Sequence, residues 1–167
     1  MENFIDKYKE IISLDLVLSL QILSCYFMTG VIWIIQLVHY PSFKYIEFKQ
    51  FLNFQNFHTQ TITFIVGPMM VLEIFSAFYL LIAFEFSAFW VIHSALLIGI
   101  WLCTAFLSVP IHTLLAQPHI SVDERLQMVK LLVKTNWPRT LLWTIRTLLF
   151  IFSTMNLTKS ISNNFGA

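Results

Sequence analysis

Four long apolar stretches, at about 14–39, 57–84, 88–115 and 138–157, alternate with short polar or mixed ones along this chain. Each holds roughly 20 residues or more, which at about 1.5 Å per residue crosses a hydrocarbon core of about 30 Å. The expected fold class is an all-α membrane protein: an antiparallel four-helix transmembrane bundle with short interfacial helices, in one domain over 1–167. Three of the stretches carry a polar stripe. On the third, His93, Leu97, Trp101, Thr104, Ser108 and His112 recur at steps of three and four and so share a face. Gln36 and His39 share one on the first, with Thr29 and Cys25 below them, as do Asn136, Arg139, Trp143 and Arg146 on the fourth. Lipid cannot satisfy such stripes, so each is expected to face a common interior.

The intervening segments suggest their own roles. Residues 1–13 mix acids and bases without the pattern of a cleavable signal, and read as an amphipathic helix with Phe4, Ile5, Ile11 and Ile12 toward lipid. The first span then acts as an uncleaved anchor, stopped by Pro41. Phenylalanines at 43, 48, 51, 54 and 57 among Lys44, Glu47 and Lys49 predict an interfacial helix over 42–56. Gly67-Pro68 predicts a kink in the second span. The connection Glu85-Phe86-Ser87 is short enough to force an antiparallel neighbour. In the connector 116–135, Ser121 and Glu124 form a capping-box pattern that opens a helix. The fourth span should start near Asn136 or Pro138, and the polar tail 159–167 should fray.

Composition agrees with the membrane reading. Of 167 residues, 57% are hydrophobic and only 11% charged, against about 25% charged in soluble domains. The net charge of +1 and the lack of any basic arm exclude a nucleic-acid partner. Cys25 and Cys103 fall in apolar runs and read as small core residues. Lys44, Lys49, Arg125, Lys130, Lys134 and Arg139 lie on one side of the four spans, Lys7, Lys9 and Lys159 on the other. That excess predicts a cytoplasmic pocket side and both termini opposite.

Antiparallel threading would bring His39, His58, His112 and the pair Asn136/Arg139, each from a different span end, to one level. Two chemistries suit such a group. His39, His58 and His112 could ligate a metal or haem iron, since three imidazoles and an open position form a catalytic site. Arg139, which such an ion would meet as a like charge, speaks against this. Alternatively the pocket takes a hydrophobic, aromatic or quinoid small molecule: histidine moves a proton, Asn136 and Arg139 stabilise an oxygen anion, and Trp33, Trp101, Trp137 and Trp143 supply flat walls. Gln36, Trp101 and Trp143 are the candidates for holding a cofactor, whose nature, or need, stays open. The structural alternative for each histidine is an interfacial side chain bonded to a carbonyl, and for Trp90 and Trp137 an aromatic belt. Glu73 lies inside an apolar run and needs a partner, either Arg146 or His93. The expected partners are the bilayer and a hydrophobic small molecule, with a homo-oligomer left open. A proton-, ion- or solute-transporting or binding subunit without catalysis is the competing function.

Two short motifs add a resemblance. Ser108-Val109-Pro110-Ile111-His112 with Leu115, followed by Asn136-Trp137-Pro138-Arg139-Thr140, resembles the anthrone-oxygenase-like family of small four-span membrane proteins. That family closes its third helix with Val-Pro-x-polar-x-x-Leu and opens its fourth with Asn-x-x-Arg. The likeness covers the last third of the chain. It departs where His112 replaces the usual asparagine, and His39 and His58 are outside the pattern. The resemblance implies a four-helix membrane bundle and oxygenation of an anthrone-type carbon acid without an evident cofactor.

Overall fold

A computed structural model describes the backbone of residues 2–165 and the side chains of residues 14–156. The described chain is helical throughout, with no strand among the described residues. Helix α1 covers Glu2–Ile34, α2 Tyr40–Ser42, α3 Phe48–Ala83, α4 Ala88–Cys103, α5 Val109–Leu115 and α6 Val122–Phe165. Among the described residues three stretches are long and apolar enough to cross a membrane: Leu14–Tyr45, Phe48–Ala83 and Ala88–Leu115. In α6, Asn136, Arg139, Arg146 and the threonines between them dilute the apolar run.

The helices bury the faces that their periodicity marks. In α6 the buried set is Arg125, Val129, Leu132, Asn136, Arg139, Thr140, Trp143, Arg146 and Phe150, in helical steps. In α3 it includes Phe51, Gln55, His58, Met70, Glu73, Ala77 and Leu80. Leucines, isoleucines and phenylalanines such as Ile34, Phe64, Phe75 and Phe106 stay exposed on the opposite faces, as a lipid-facing surface requires. Helix α1 packs on α3 and α6, and α4 packs on α3 and α6.

Both interfacial helices foreseen from the sequence merge into longer ones. Phe48 begins a helix that runs on without a break to Ala83 and passes through Pro68. Phe43 and Phe51 are buried in the main apolar cluster with Tyr40 and Leu115, so the aromatic spacing at 43–57 reflects packing against neighbouring helices as well as exposure. Likewise α6 runs continuously from Val122, with Pro138 inside it and no start at Asn136. The Ser121–Glu124 capping box does open it: Ser121 N and Oγ donate to Glu124 Oε2 at 2.9 and 2.6 Å, and Glu124 N donates to Ser121 Oγ at 3.3 Å. At the other end, α1 reaches back to Glu2 in one piece; the expected lipid-facing side chains of 4–12 fall outside the described ones, and the tail expected to fray continues α6 as far as Phe165.

Pro41 widens the first span where it was expected to stop it. A proline removes one N–H and its ring presses on the carbonyl four residues back. Before both Pro41 and Pro110 the helix relaxes into a π turn, over Ile35–His39 and Thr104–Ser108. These two turns carry Gln36, His39 and Ser108. Between α3 and α4 the chain reverses with left-handed Glu85 (φ 49°) and Phe86 (φ 55°). Phe86 N donates to Leu81 O at 2.9 Å and Glu85 N to Ile82 O at 3.0 Å, a Schellman ending normally built on glycine.

Candidate functional site

The polar stripes meet in two layers. In the upper layer, Tyr40 and Pro41 at the end of the first span, α3, α5 and α6 each supply a group. His39 Nε2 and His58 Nδ1 are 2.8 Å apart, and the His58 and His112 rings lie 5.3 Å centre to centre. His112 is held at both nitrogens, by Tyr40 Oη at 3.0 Å and by Gln55 Nε2 at 2.9 Å. The three imidazoles thus do come together from distant parts of the chain. His39 Nε2, His58 Nδ1 and both His112 nitrogens are taken up by each other, by Tyr40 and by Gln55, while His58 Nε2 is buried without a partner; among the described residues no three His, Cys, Asp or Glu side chains are placed to hold a metal ion.

Beside them stands Arg139, 5% exposed. Its Nη1 donates to Ser108 Oγ and to Asn136 Oδ1, each at 3.0 Å, and its Cζ lies 5.5 Å from the Trp143 ring centre. Its Nε finds no partner. Among the described residues Arg139 has no carboxylate within ion-pairing distance; the one ion pair there is Arg146–Glu73, one layer down. A guanidinium out of water and without a counter-ion is a costly group, and its cost falls when an anion arrives.

Asn136 and Gln36 stand behind Arg139 and steer it. Asn136 Nδ2 donates to Gln36 Oε1 at 2.9 Å, Gln36 Nε2 to Val133 O at 3.1 Å, and Thr140 Oγ closes the group at 3.4 Å from Gln36 Oε1. Both amides are buried, 0% and 2% exposed, and neither lines an opening.

A cleft of about 320 Å³ between α3 on one side and α4, the π turn and α5 on the other ends on this group. Its walls are mostly apolar, with Ile62, Val66, Met70, Val71 and Val109 among them. Tyr40, Thr63, His112, Arg139, Trp101, Thr104 and Ser108 are its polar members. The Trp101 ring N–H is buried and unpartnered. Of the four tryptophans expected as walls, Trp101 alone lines the cleft. Trp143, fully buried, donates to both Glu73 oxygens at 3.1 and 3.3 Å. Trp33 and Trp137 pack edge to face at 5.9 Å, with Trp33 Nε1 on Thr144 Oγ at 3.0 Å. Trp137 is exposed as a belt residue would be, whereas Trp90 is buried and stacked on Phe84 at 5.5 Å.

The lower layer holds Glu73, paired with Arg146 and Trp143, beside Thr29 and Thr147, whose hydroxyls are 2.7 Å apart. Gln21 and Ser76 are hydrogen-bonded just beyond. His93 lies 4.2 Å ring to ring from Phe150 with both nitrogens unpartnered, so Arg146 takes the acid and His93 does not.

Sequence reading missed Tyr40 and Gln55, which fix the tautomer and direction of His112. Tyr40 adjoins Pro41 just past the helix widening, which is the one local signal it carries. Gln55 sits in a stretch that reads as surface. No family model, curated protein or solved structure matches this chain.

Proposed function

We propose that the chain is a four-helix membrane bundle, threaded antiparallel with the Pro138–Leu157 part of α6 as its fourth crossing. On this reading it is a small-molecule oxidoreductase of oxygenase-like type, acting on a hydrophobic aromatic carbon acid in the Arg139–His112 cleft. The cation excess puts the cleft on the cytoplasmic side and both termini opposite. One observation carries the functional reading: a buried guanidinium without an acid faces an apolar cleft within reach of an imidazole and a phenol. Such a site favours the anionic form of a bound carbon acid or phenol. His112 accepts the proton at Nδ1 when the Gln55 amide gives up its hydrogen bond to that atom, and Tyr40, 3.0 Å from Nε2, holds the ring in place. Arg139, positioned by Asn136 and Ser108, stabilises the oxygen on which charge develops. The enolate or phenolate so formed is the electron-rich species that dioxygen attacks, the reaction implied by the resemblance to the anthrone-oxygenase-like family.

Oxygen uptake by protein in nanodiscs, with an anthrone as substrate, tests this. Arg139→Gln should lower turnover by about 10²-fold or more, the usual loss when an oxyanion donor is removed. His112→Phe should lose about 10²–10⁴-fold. Uptake within twofold of the wild type in Arg139→Gln overturns the proposal.

The lower layer favours a second reading, a small proton- or ion-transporting or solute-binding subunit. Arg146 Nε and Nη2, both His93 nitrogens and Ser94 Oγ are buried without partners, and such groups line water paths in transporters. Proton flux into proteoliposomes that is lost in Glu73→Gln would select it.

A further inference from the structure

The cleft does not end where Arg139 meets it. A second opening of about 360 Å³, lined by Thr59, Ile62, Thr63, Val109, His112 and Ala116, continues it along the same seam. Ile62, Thr63, Val109 and His112 belong to both. From Thr59 to Val71 the seam follows α3 for 12 residues, about 18 Å at the helical rise. Its rims are the outward faces of the helices: Val71 is 45% and Val109 54% exposed. In a membrane those rims meet acyl chains, so the trough opens to lipid along its length.

Gly67 sits in the floor of this trough. Beyond its chain neighbours and the backbone of its own helix, a Cβ built there would meet only Thr63 Cγ2, at 3.9 Å. The position therefore has room for a side chain and lacks one. A glycine inside a helix costs about 1 kcal/mol relative to alanine; here the ring of Pro68, which crowds a Cβ on the residue before it, offsets part of that cost. The effect of the glycine is to keep the trough open beside the polar group.

We propose that the seam admits its ligand sideways from the bilayer, and that the ligand is an amphiphile with an acidic oxygen head and an apolar tail. The head lies at Arg139 and His112, the tail lies along α3 across Gly67, and Gly67 sets the bulk of tail that is accepted. This rests on the reading of Arg139 as an anion site and adds to it the route and the shape of the ligand. The trough walls apart from the Arg139 group carry no charge, which suits a hydrocarbon tail and excludes a second charge on it.

The test uses the whole chain in nanodiscs and the fluorescence of Trp101, with Trp101→Phe as the blank. Bromine quenches indole on contact. Three probes are titrated: 9,10-dibromostearate, its methyl ester, and the short acid 4-bromobenzoate. Dibromostearate should quench saturably, at a midpoint about tenfold or more below the ester's, since only the acid meets the guanidinium. Arg139→Gln should erase that difference. Gly67→Ala should raise the dibromostearate midpoint about twofold and Gly67→Phe about tenfold or more, with 4-bromobenzoate shifted under threefold in both. Circular dichroism spectra of both Gly67 variants, expected to keep the wild-type helix content, separate a filled trough from a damaged fold. Arg139-dependent quenching that Gly67→Phe leaves untouched overturns the sideways route and keeps the anion site. Quenching by acid and ester alike, indifferent to Arg139→Gln, overturns both.

Discussion

Glu73 and Arg146 are each 0% exposed, and the consequence of separating them is severe. Arg146→Met would leave a buried carboxylate with only Trp143 and should destabilise the protein by about 3–5 kcal/mol. The double change Glu73→Leu with Arg146→Met should recover most of that loss, because two desolvation penalties vanish together. Urea or SDS unfolding in micelles measures both. At this scale the sequence was informative about which side chains are out of place in lipid, and less so about their mates. An acid inside an apolar run demands a partner, but Arg146 and His93 both qualified by depth. The choice was made by packing across helices: Trp143, one turn before Arg146, turns its N–H onto the same carboxylate.

Helix beginnings and ends follow local chemistry closely. The Ser121–Glu124 box holds the Glu124 carboxyl below its ordinary pKa of 4.5, chiefly through the Ser121 hydroxyl. A depressed carboxylate contributes its stability above the ordinary value and loses it as pH falls through the folded one. The first turn of α6 should therefore be fully protected at neutral pH and fray as pH falls below about 4.5. Ser121→Ala should open it at all pH, at a cost of about 1 kcal/mol. Amide hydrogen exchange at Glu124 and Arg125, corrected for intrinsic rates, reads both. At the α3–α4 reversal, Glu85 adopts φ 49° without being glycine. Glu85→Gly should stabilise by roughly 1 kcal/mol, seen as a raised melting temperature. Elements were legible wherever a run of residues acts together, as in the polar stripes and the capping box. They were misread at prolines. Pro41 and Pro138 look like boundaries in sequence, yet the chain passes through both: Pro41 by widening the preceding turn, and Pro138 within one continuous helix.

For the whole molecule, the proposed four-crossing arrangement predicts that the segments before α3 and before α6 face the same compartment, and that both termini face the other. Single cysteines placed at Lys44, Gln117 and Ser160 in a Cys25→Ala/Cys103→Ala background test it by labelling with an impermeant maleimide. Lys44 and Gln117 should label from one side and Ser160 from the other; labelling of all three from one side rules out the fourth crossing. The gathering of His39, His58, His112 and Arg139 was readable from span order alone, because each of them lies next to a connection between two successive apolar stretches. The trough was not, since it depends on how far α3 and α5 diverge once the turn before Pro110 has bulged.

The continuity of α6 has a mechanical meaning. Its 44 residues form a rod about 66 Å long, more than twice the thickness of a hydrocarbon core. Near its beginning, Arg125 clasps the Phe48 and Phe51 rings at 5.3 and 4.7 Å and ties to the Ile46 carbonyl at 3.0 Å. Arg139 rides on the same rod 14 residues further on, about 21 Å away. The clasp and the guanidinium are thus carried by one continuous helix, with Pro138 just before Arg139 as the one place along it where a proline loosens the ladder.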